Sequence, residues 1–324
     1  MIKQMRNRAL LVLAAGALLM SGVAGCGDRA SSAAAVAPAS ATTTTSASPA
    51  LTTLGPHVAT VAAAGDVACP VGGARCRDAA TARVIARIAP QALFALGDLQ
   101  YETGRLADFR SSYARTWGRY RSITFPAVGN HEYLTPRAAG YFTYFADRAG
   151  PTGRGWYARS IGSWRVIALN SNCAEAGGCE RGSPQQRWLA SELAAHPARC
   201  TVAIWHHPRF SSGRHGDDSG TAALWATLRA RRADLVLVGH DHNYERFAPQ
   251  NSDGRPDARG IREFVVGTGG RNTYPLGIPR RNSEVRTTDV HGMLELDLRA
   301  RGYRWRFRAV PGDEFSDAGT GRCV

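Results

Sequence analysis

Five short segments of the chain carry side chains with metal-binding chemistry. They are Gly65-Asp66, Gly97-Asp98-Leu99-Gln100-Tyr101, Gly129-Asn130-His131-Glu132, His206-His207-Pro208 and Gly239-His240-Asp241-His242. Carboxylate, phenol, carboxamide and imidazole are the hard and borderline donors that hold divalent and trivalent cations without thiolate. Two cations held side by side need a shared anionic donor, further oxygen and imidazole ligands, and open positions for water and substrate. Each segment alone says little, because Asp after Gly is common in turns and helix caps. The information lies in the ordered set.

The elements that must position these residues are readable from the pattern around them. Each segment closes a short apolar run, at 58–64, 92–96, 123–128, 202–205 and 235–238. Runs this short without clean alternation predict strands buried on both faces. Apolar spacing predicts helices over 78–88, 106–120 and 221–232. Ser183-Pro184-Gln185-Gln186 reads as an N-cap, a proline at the first helical position and a capping box. Alternating strand and helix gives an α/β class, whose ligands gather at the carboxyl ends of strands, so the five segments are expected on one edge. Residues 292–298 and 303–310 alternate around a turn at Arg301-Gly302 and predict a second sheet.

Taken together, the five segments resemble the calcineurin-like metallophosphoesterases, and within them the purple acid phosphatases. The narrower likeness rests on Asp98-Leu99-Gln100-Tyr101 and on Gly239-His240-Asp241-His242-Asn243-Tyr244-Glu245-Arg246, which follows that group's Gly-His-x-His-x-Tyr-Glu-Arg pattern throughout. It extends over about residues 58–324, including Gly267-Thr268-Gly269-Gly270. The resemblance implies two mixed β-sheets packed as a sandwich flanked by helices, an α/β (four-layer α+β) fold. It implies that Asp98 bridges two cations, the first also held by Asp66, Tyr101 and His242 and the second by Asn130, His206 and His240. A tyrosinate is a hard, strongly donating oxygen, so Fe(III) is expected beside Tyr101, with Fe(II), Zn(II) or Mn(II) at the second position. One departure from the wider superfamily fits: where many members place a ligand His two residues after the first Asp, this chain has Ala68, and Tyr101 fills the gap.

The same resemblance makes His131 the residue that contacts phosphate or protonates the leaving alcohol, and His215 a second substrate-facing histidine. Arg214 is a candidate for a phosphate oxygen. His207 could also face the pocket, but packing is the favoured assignment, because adjacent residues on a strand point to opposite faces. His57, His196 and His291 have no motif context. The implied reaction is hydrolysis of a phosphate monoester, in which the cation pair polarises the phosphoryl group and generates the attacking hydroxide. A phosphodiesterase acting on nucleotides is the alternative, followed by an inactive polyanion-binding lipoprotein.

The ends of the 324-residue chain speak to location. Lys3, Arg6 and Arg8 precede an apolar run over 9–20 that is too short to span a bilayer, so residues 1–25 read as an export signal. Val23-Ala24-Gly25-Cys26 resembles the bacterial lipoprotein box, which implies lipid on Cys26 and membrane attachment; a plain cleaved signal is the alternative. Residues 26–55 are rich in Ala, Ser and Thr and read as a disordered tether, which leaves 56–324 as the catalytic domain. Of seven cysteines, six remain after Cys26, an even number suited to three disulfides in an exported chain. Short spacing favours Cys69 with Cys76 and Cys173 with Cys179, leaving Cys200 for Cys323. A zinc cluster is the competing reading, without a Cys-x-x-Cys pair to support it.

A formal net charge of +14 invites a nucleic-acid reading, but Lys3 is the only lysine and the arginines are scattered singly, so no specific nucleic-acid partner is expected. Small phosphate esters are the expected partners. With 44% hydrophobic and 20% charged residues, the composition excludes collagen-like, disordered and multi-span membrane chains.

Overall fold

The computed structural model describes residues 51–72 and 76–324. The export signal, Cys26 and the tether up to residue 50 lie outside the described residues. Residues Leu51–Leu54 form a 3-10 turn, and Leu54 is fully buried. Its carbonyl accepts the Arg301 N–H at 2.8 Å, which ties this turn to the C-terminal part of the chain.

The first half contributes β1 (His57–Ala64), α1 (Asp78–Ile88), β2 (Ala92–Leu96), α2 (Leu106–Ser111), β3 (Thr124–Ala127), α3 (Asn130–Tyr133) and α4 (Ala139–Phe145). Then follow β4 (Tyr157–Ile161), β5 (Trp164–Ala168), α5 (Pro184–Ala195), β6 (Cys200–Ile204), α6 (Ala222–Ala230) and β7 (Leu235–Val238). The chain closes with β8 (Tyr244–Phe247), β9 (Arg262–Val266), β10 (Ser283–Thr287), β11 (Gly292–Arg299), β12 (Gly302–Ala309) and β13 (Ala318–Arg322).

These strands make two mixed sheets, in the orders β13-β12-β11-β1-β2-β3 and β10-β8-β9-β7-β6-β5-β4. The parallel members are β1-β2-β3 and β5-β6-β7-β9; the five apolar runs are β1, β2, β3, β6 and β7, β5 and β9 join them, and antiparallel strands extend both sheets. The β11-β12 hairpin does not found the second sheet, as its alternation had suggested; it pairs with β1 and widens the first. Strand alternation divides the core. Val166, Val202, Ile204, Leu235 and Leu237 face the first sheet, while Ile167, Ala203, Val236 and Val238 face Leu189, Leu193, Trp225 and Leu228 of α5 and α6. Across the sandwich Trp164 packs edge-on to Tyr303, and its indole N–H reaches the Arg299 carbonyl at 2.8 Å.

Two helix expectations change in detail. The 106–120 stretch breaks after α2 because tertiary partners take its polar groups: Gln100 Oε1 accepts the Tyr113 N–H at 3.1 Å, and Ser112 Oγ donates to the Cys69 carbonyl at 2.5 Å. At α5, Ser183 Oγ caps the Gln186 N–H, but Gln186 Oε1 reaches back to the Gly182 N–H, one residue earlier than a capping box requires. Cys69 pairs with Cys76 and Cys173 with Cys179, as the short spacing favoured, and Cys200 pairs with Cys323, the two that remained. Cys200 and Cys323 lie beside Asp234, yet with both sulfurs in a disulfide this group offers no thiolate for zinc. No helix among the described residues is long and apolar enough to cross a membrane.

Candidate metal centre

The carboxyl ends of β1, β2, β3, β6 and β7 meet at one rim, which is shared between the two sheets rather than being the edge of one. Asp66, Asp98 and His240, each just beyond its strand, adopt left-handed backbone with φ of 61°, 49° and 68°. Such strain concentrates where a side chain must be turned toward a site. The turns also need glycine. A Cβ on Gly129 would lie 2.2 Å from both the Asp98 nitrogen and its Oδ1, and one on Gly239 would lie 2.6 Å from Asp66 Oδ2.

All seven residues proposed as metal ligands converge here, in two groups. In the first, the Tyr101 hydroxyl lies 2.9 Å from Asp66 Oδ1, 3.1 Å from Asp98 Oδ2 and 3.0 Å from His242 Nε2. In the second, His206 Nε2 lies 3.1 Å from Asn130 Oδ1, 3.3 Å from His240 Nδ1 and 3.3 Å from Asp98 Oδ2. Asp98 Oδ2 therefore belongs to both groups, while its Oδ1 is spent on the His131 N–H at 2.9 Å. His206 Nδ1 meets the Leu96 carbonyl at 2.8 Å and His242 Nδ1 meets the Asn272 carbonyl at 2.5 Å. Those carbonyls take the Nδ1 protons, which turns both Nε2 lone pairs inward.

The donor set fits a cation pair. Asp66, Asp98, Tyr101, His206 and His242 are essentially buried, and three of them bring oxygens together; the guanidinium of Arg271 lies 4.6 Å over the face of the Tyr101 ring. Without cations, burial and then the Asp66 and Asp98 carboxylates push the Tyr101 phenol well above its usual range. Burial would also raise the Asp98 carboxyl, but His206 and His131 hold it well below the ordinary carboxylate range. Burial opposes a charge on His206, yet Asp98 outweighs it and the imidazole rises to about 9. A protonated His206 thus balances Asp98 where a cation would otherwise do so. Burial and the neighbouring His206 lower His240 instead, leaving its lone pair free.

Around this centre, His131 donates Nδ1–H to the Glu102 carbonyl at 2.6 Å and holds Nε2 3.8 Å from Asp98 Oδ2. His215 is exposed, and its ring lies 4.4 Å from the His240 ring with planes tilted by 38°; its backbone N–H is fixed by Asp241 Oδ1 at 2.8 Å. Arg214 lies 5.2 Å over Tyr274, which stacks on His242 at 4.1 Å with planes 14° apart. His57 and His196 pair with Asp297 and Glu192, away from the rim, and His291 bonds the Arg271 carbonyl.

His207 corrects the packing assignment. Strand β6 ends at Ile204, so strand alternation no longer applies, and the His207 ring lies 4.3 Å from His240 and 5.0 Å from His206. Burial and then His206 bring its pKa down to about 3. Sequence reasoning also passed over Glu132 and Tyr274. The sequence signal for Glu132 is its place three residues after Gly129 in Gly129-Asn130-His131-Glu132; Tyr274 has none.

The calcineurin-like phosphoesterase family model matches residues 59–244, and the chain belongs to that family. An uncharacterised protein of Mycobacterium tuberculosis is 32% identical over 254 residues, covering 63% of this chain and 47% of that protein. Fe(3+)-Zn(2+) purple acid phosphatase 12 of Arabidopsis thaliana is 26% identical over 255 residues, covering 66% and 52%. The structure of a purple acid phosphatase from yellow lupin (Lupinus luteus) seeds superposes with a TM-score of 0.69 at 18% identity, over 81% of this chain and 53% of that one, which shows a common fold. The chain spans about half the length of the curated relatives it matches. Its family is one of metal-dependent phosphoesterases in which a two-metal site is typical, and its likeness to the purple acid phosphatases runs through both sequence and fold.

Proposed function

We propose that this chain is an exported phosphatase that hydrolyses phosphate monoesters in the manner of an acid phosphatase. The observation that carries the reading is the Tyr101 hydroxyl, set within 3.1 Å of Asp66, Asp98 and His242 donor atoms. Asp66, Tyr101 and His242 would hold the first cation and Asn130, His206 and His240 the second, with Asp98 Oδ2 between them. The phenolate donor supports Fe(III) at the first position, and the neutral carboxamide with two imidazoles supports Fe(II), Zn(II) or Mn(II) at the second. When bound, such a pair supplies Lewis acidity toward the phosphoryl group and activates water for attack.

The chain's own groups do the rest. His131, with Nδ1–H engaged by the Glu102 carbonyl, presents Nε2 toward the site; in its imidazolium form the ring delivers the Nε2 proton to the leaving alkoxide and is left as the neutral Nδ1–H tautomer. His215 and Arg214, on the loop held by Asp241, bind the phosphoryl oxygens from the outer side. Export is supported by the three disulfides, which persist in oxidising compartments. Attachment to the bacterial membrane through lipid on Cys26 belongs to the same reading, and residues 56–324 form its catalytic part.

The test is hydrolysis of a nitrophenyl phosphate monoester and the matching diester from acidic to alkaline pH, beside an Asp98→Asn control. Monoester turnover peaking on the acidic side and lost in the control is the expected result. Preferential diester turnover would reassign the chain as a phosphodiesterase, and no turnover by cation-replete protein would leave a binding role.

A further inference from the structure

His207 has a partner for every polar group but one. Its backbone N–H donates to Ser171 Oγ at 2.9 Å, and its carbonyl accepts the Trp205 indole N–H at 2.7 Å. Its Nδ1 lies 2.8 Å from the same Ser171 Oγ, and no protein group among the described residues meets Nε2. The side chain is only partly buried, and a ring nitrogen lies within 4.8 Å of ring nitrogens of His206 and His240.

The Ser171 hydroxyl settles which ring nitrogen carries the proton. A hydroxyl has one hydrogen and two lone pairs. Ser171 Oγ accepts the N–H of His206 at 3.3 Å and of His207 at 2.9 Å, which uses both lone pairs. Its single hydrogen is left for His207 Nδ1, which must then be an acceptor. The neutral imidazole accordingly carries its proton on Nε2. With Nδ1 accepting from Ser171 and Nε2 protonated, His207 has no lone pair to offer a cation, which separates it from its neighbours His206 and His240.

We propose that His207 is a further catalytic residue, whose Nε2–H, fixed by Ser171, donates a neutral hydrogen bond to a phosphoryl oxygen of the substrate on the His206–His240 side of the site. The inference rests on the phosphatase reading above. No proton changes hands; the donor stabilises charge that builds on the phosphoryl oxygens as the ester bond breaks. Ser171 is a positioning residue that acts through the tautomer.

Two substitutions and one spectrum test this on the full chain. Gln places an amide group near the former Nε2, whereas Asn reaches only the former Nδ1. His207→Gln is expected to keep most of the activity. His207→Asn is expected to lose roughly ten- to a hundredfold in kcat/KM, the scale of one hydrogen bond to a charged group. Inorganic phosphate should bind correspondingly more weakly to His207→Asn, while both variants retain two cations by elemental analysis. In the cation-free wild-type chain, the ¹⁵N imidazole resonances of His207 should show the Nε2–H tautomer, with the Nδ1–H form appearing in Ser171→Ala. Wild-type activity in His207→Asn, loss of a cation from either variant, or an Nδ1–H tautomer in the wild type would overturn the proposal. A wild-type chain that takes up cations but has no turnover and no affinity for phosphate would overturn the phosphatase reading, and this substrate contact with it; the tautomer would still be measured independently.

Discussion

Glu132 holds the turn that carries Asp98 with both of its oxygens: Oε2 accepts the Asp98 N–H at 3.0 Å and Oε1 the Leu99 N–H at 2.8 Å. The Gly129 and Gln100 N–H groups complete the set at 2.8 and 3.2 Å. A single buried carboxylate thereby ties the turn after β2 to the turn after β3, and with them Asp98 to Asn130. Glu132→Gln replaces an acceptor oxygen with an NH₂ that faces backbone donors. We expect cation affinity to fall about ten- to a hundredfold, as for other supports of metal ligands, measured by competition with a chromophoric chelator. Unchanged affinity would show that the turns hold themselves.

Asp98→Asn keeps size and removes the shared anion. Turnover should fall by about a hundredfold or more. Elemental analysis should find fewer than two cations per chain, while the circular dichroism spectrum stays that of the wild type. Full occupancy would place the shared donor elsewhere.

Tyr101→Phe removes the phenol oxygen and leaves the ring, which packs 4.4 Å from His131. If the first cation is Fe(III), the iron-loaded wild type shows a visible phenolate charge-transfer band and the variant lacks it. A band that survives the substitution would rule out Tyr101 as its source.

Burial pushes Glu132 and Asp234 up to about 7 and raises Glu245 and Glu263 as well. These acids bind protons more tightly folded than unfolded, so the fold loses stability as pH rises from their ordinary range near 4 toward 7. His206, raised by Asp98 to about 9, acts in the same direction: its contribution is full below its ordinary value of 6.5 and is lost as pH rises through 9. Asp98 is lowered, so its contribution holds at neutral pH and is lost on strong acidification. His207, His240 and His291, all lowered by burial, act the other way and lose stability as pH falls below 6.5, but the four raised acids with His206 outweigh them. Chelator-treated protein should therefore melt at a higher temperature near pH 5 than near pH 8.5, as read by calorimetry at about those two values. The reverse order would contradict it.

The Cys200–Cys323 disulfide spans 123 residues of sequence and ties β6 to the C-terminal end of the chain. On the chain-entropy account, closing so long a loop stabilises by about 4–5 kcal/mol. Paired alanines at these positions should lower Tm by on the order of 10 °C. The same exchange at Cys69 and Cys76, separated by 7 residues, should cost less.

The strand ends were legible because two local signals coincided, a fully apolar run and a polar residue just past it. Residues 92–96 and 235–238 match β2 and β7 at both ends. The 106–120 stretch was not legible as broken, since the groups that break it, Gln100 Oε1 and the Cys69 carbonyl, arrive from other turns. Alternation at 292–310 reported strands correctly but carried no information about their partner, which proved to be β1. His207 was misread for a related reason: periodicity does not announce where a strand stops.

Each of the two donor groups takes side chains from both sheets. Asp66, Asp98 and Tyr101 follow strands of the first sheet while His242 follows β7 of the second; Asn130 follows β3 while His206 and His240 follow β6 and β7. Neither sheet alone offers a complete set of donors for either position. A cation pair in this rim would work as a clasp across the sandwich, closing only after the sheets have docked and resisting their separation once closed. A chain built this way would acquire its cations at the end of folding, and a misdocked chain would have nothing with which to retain them.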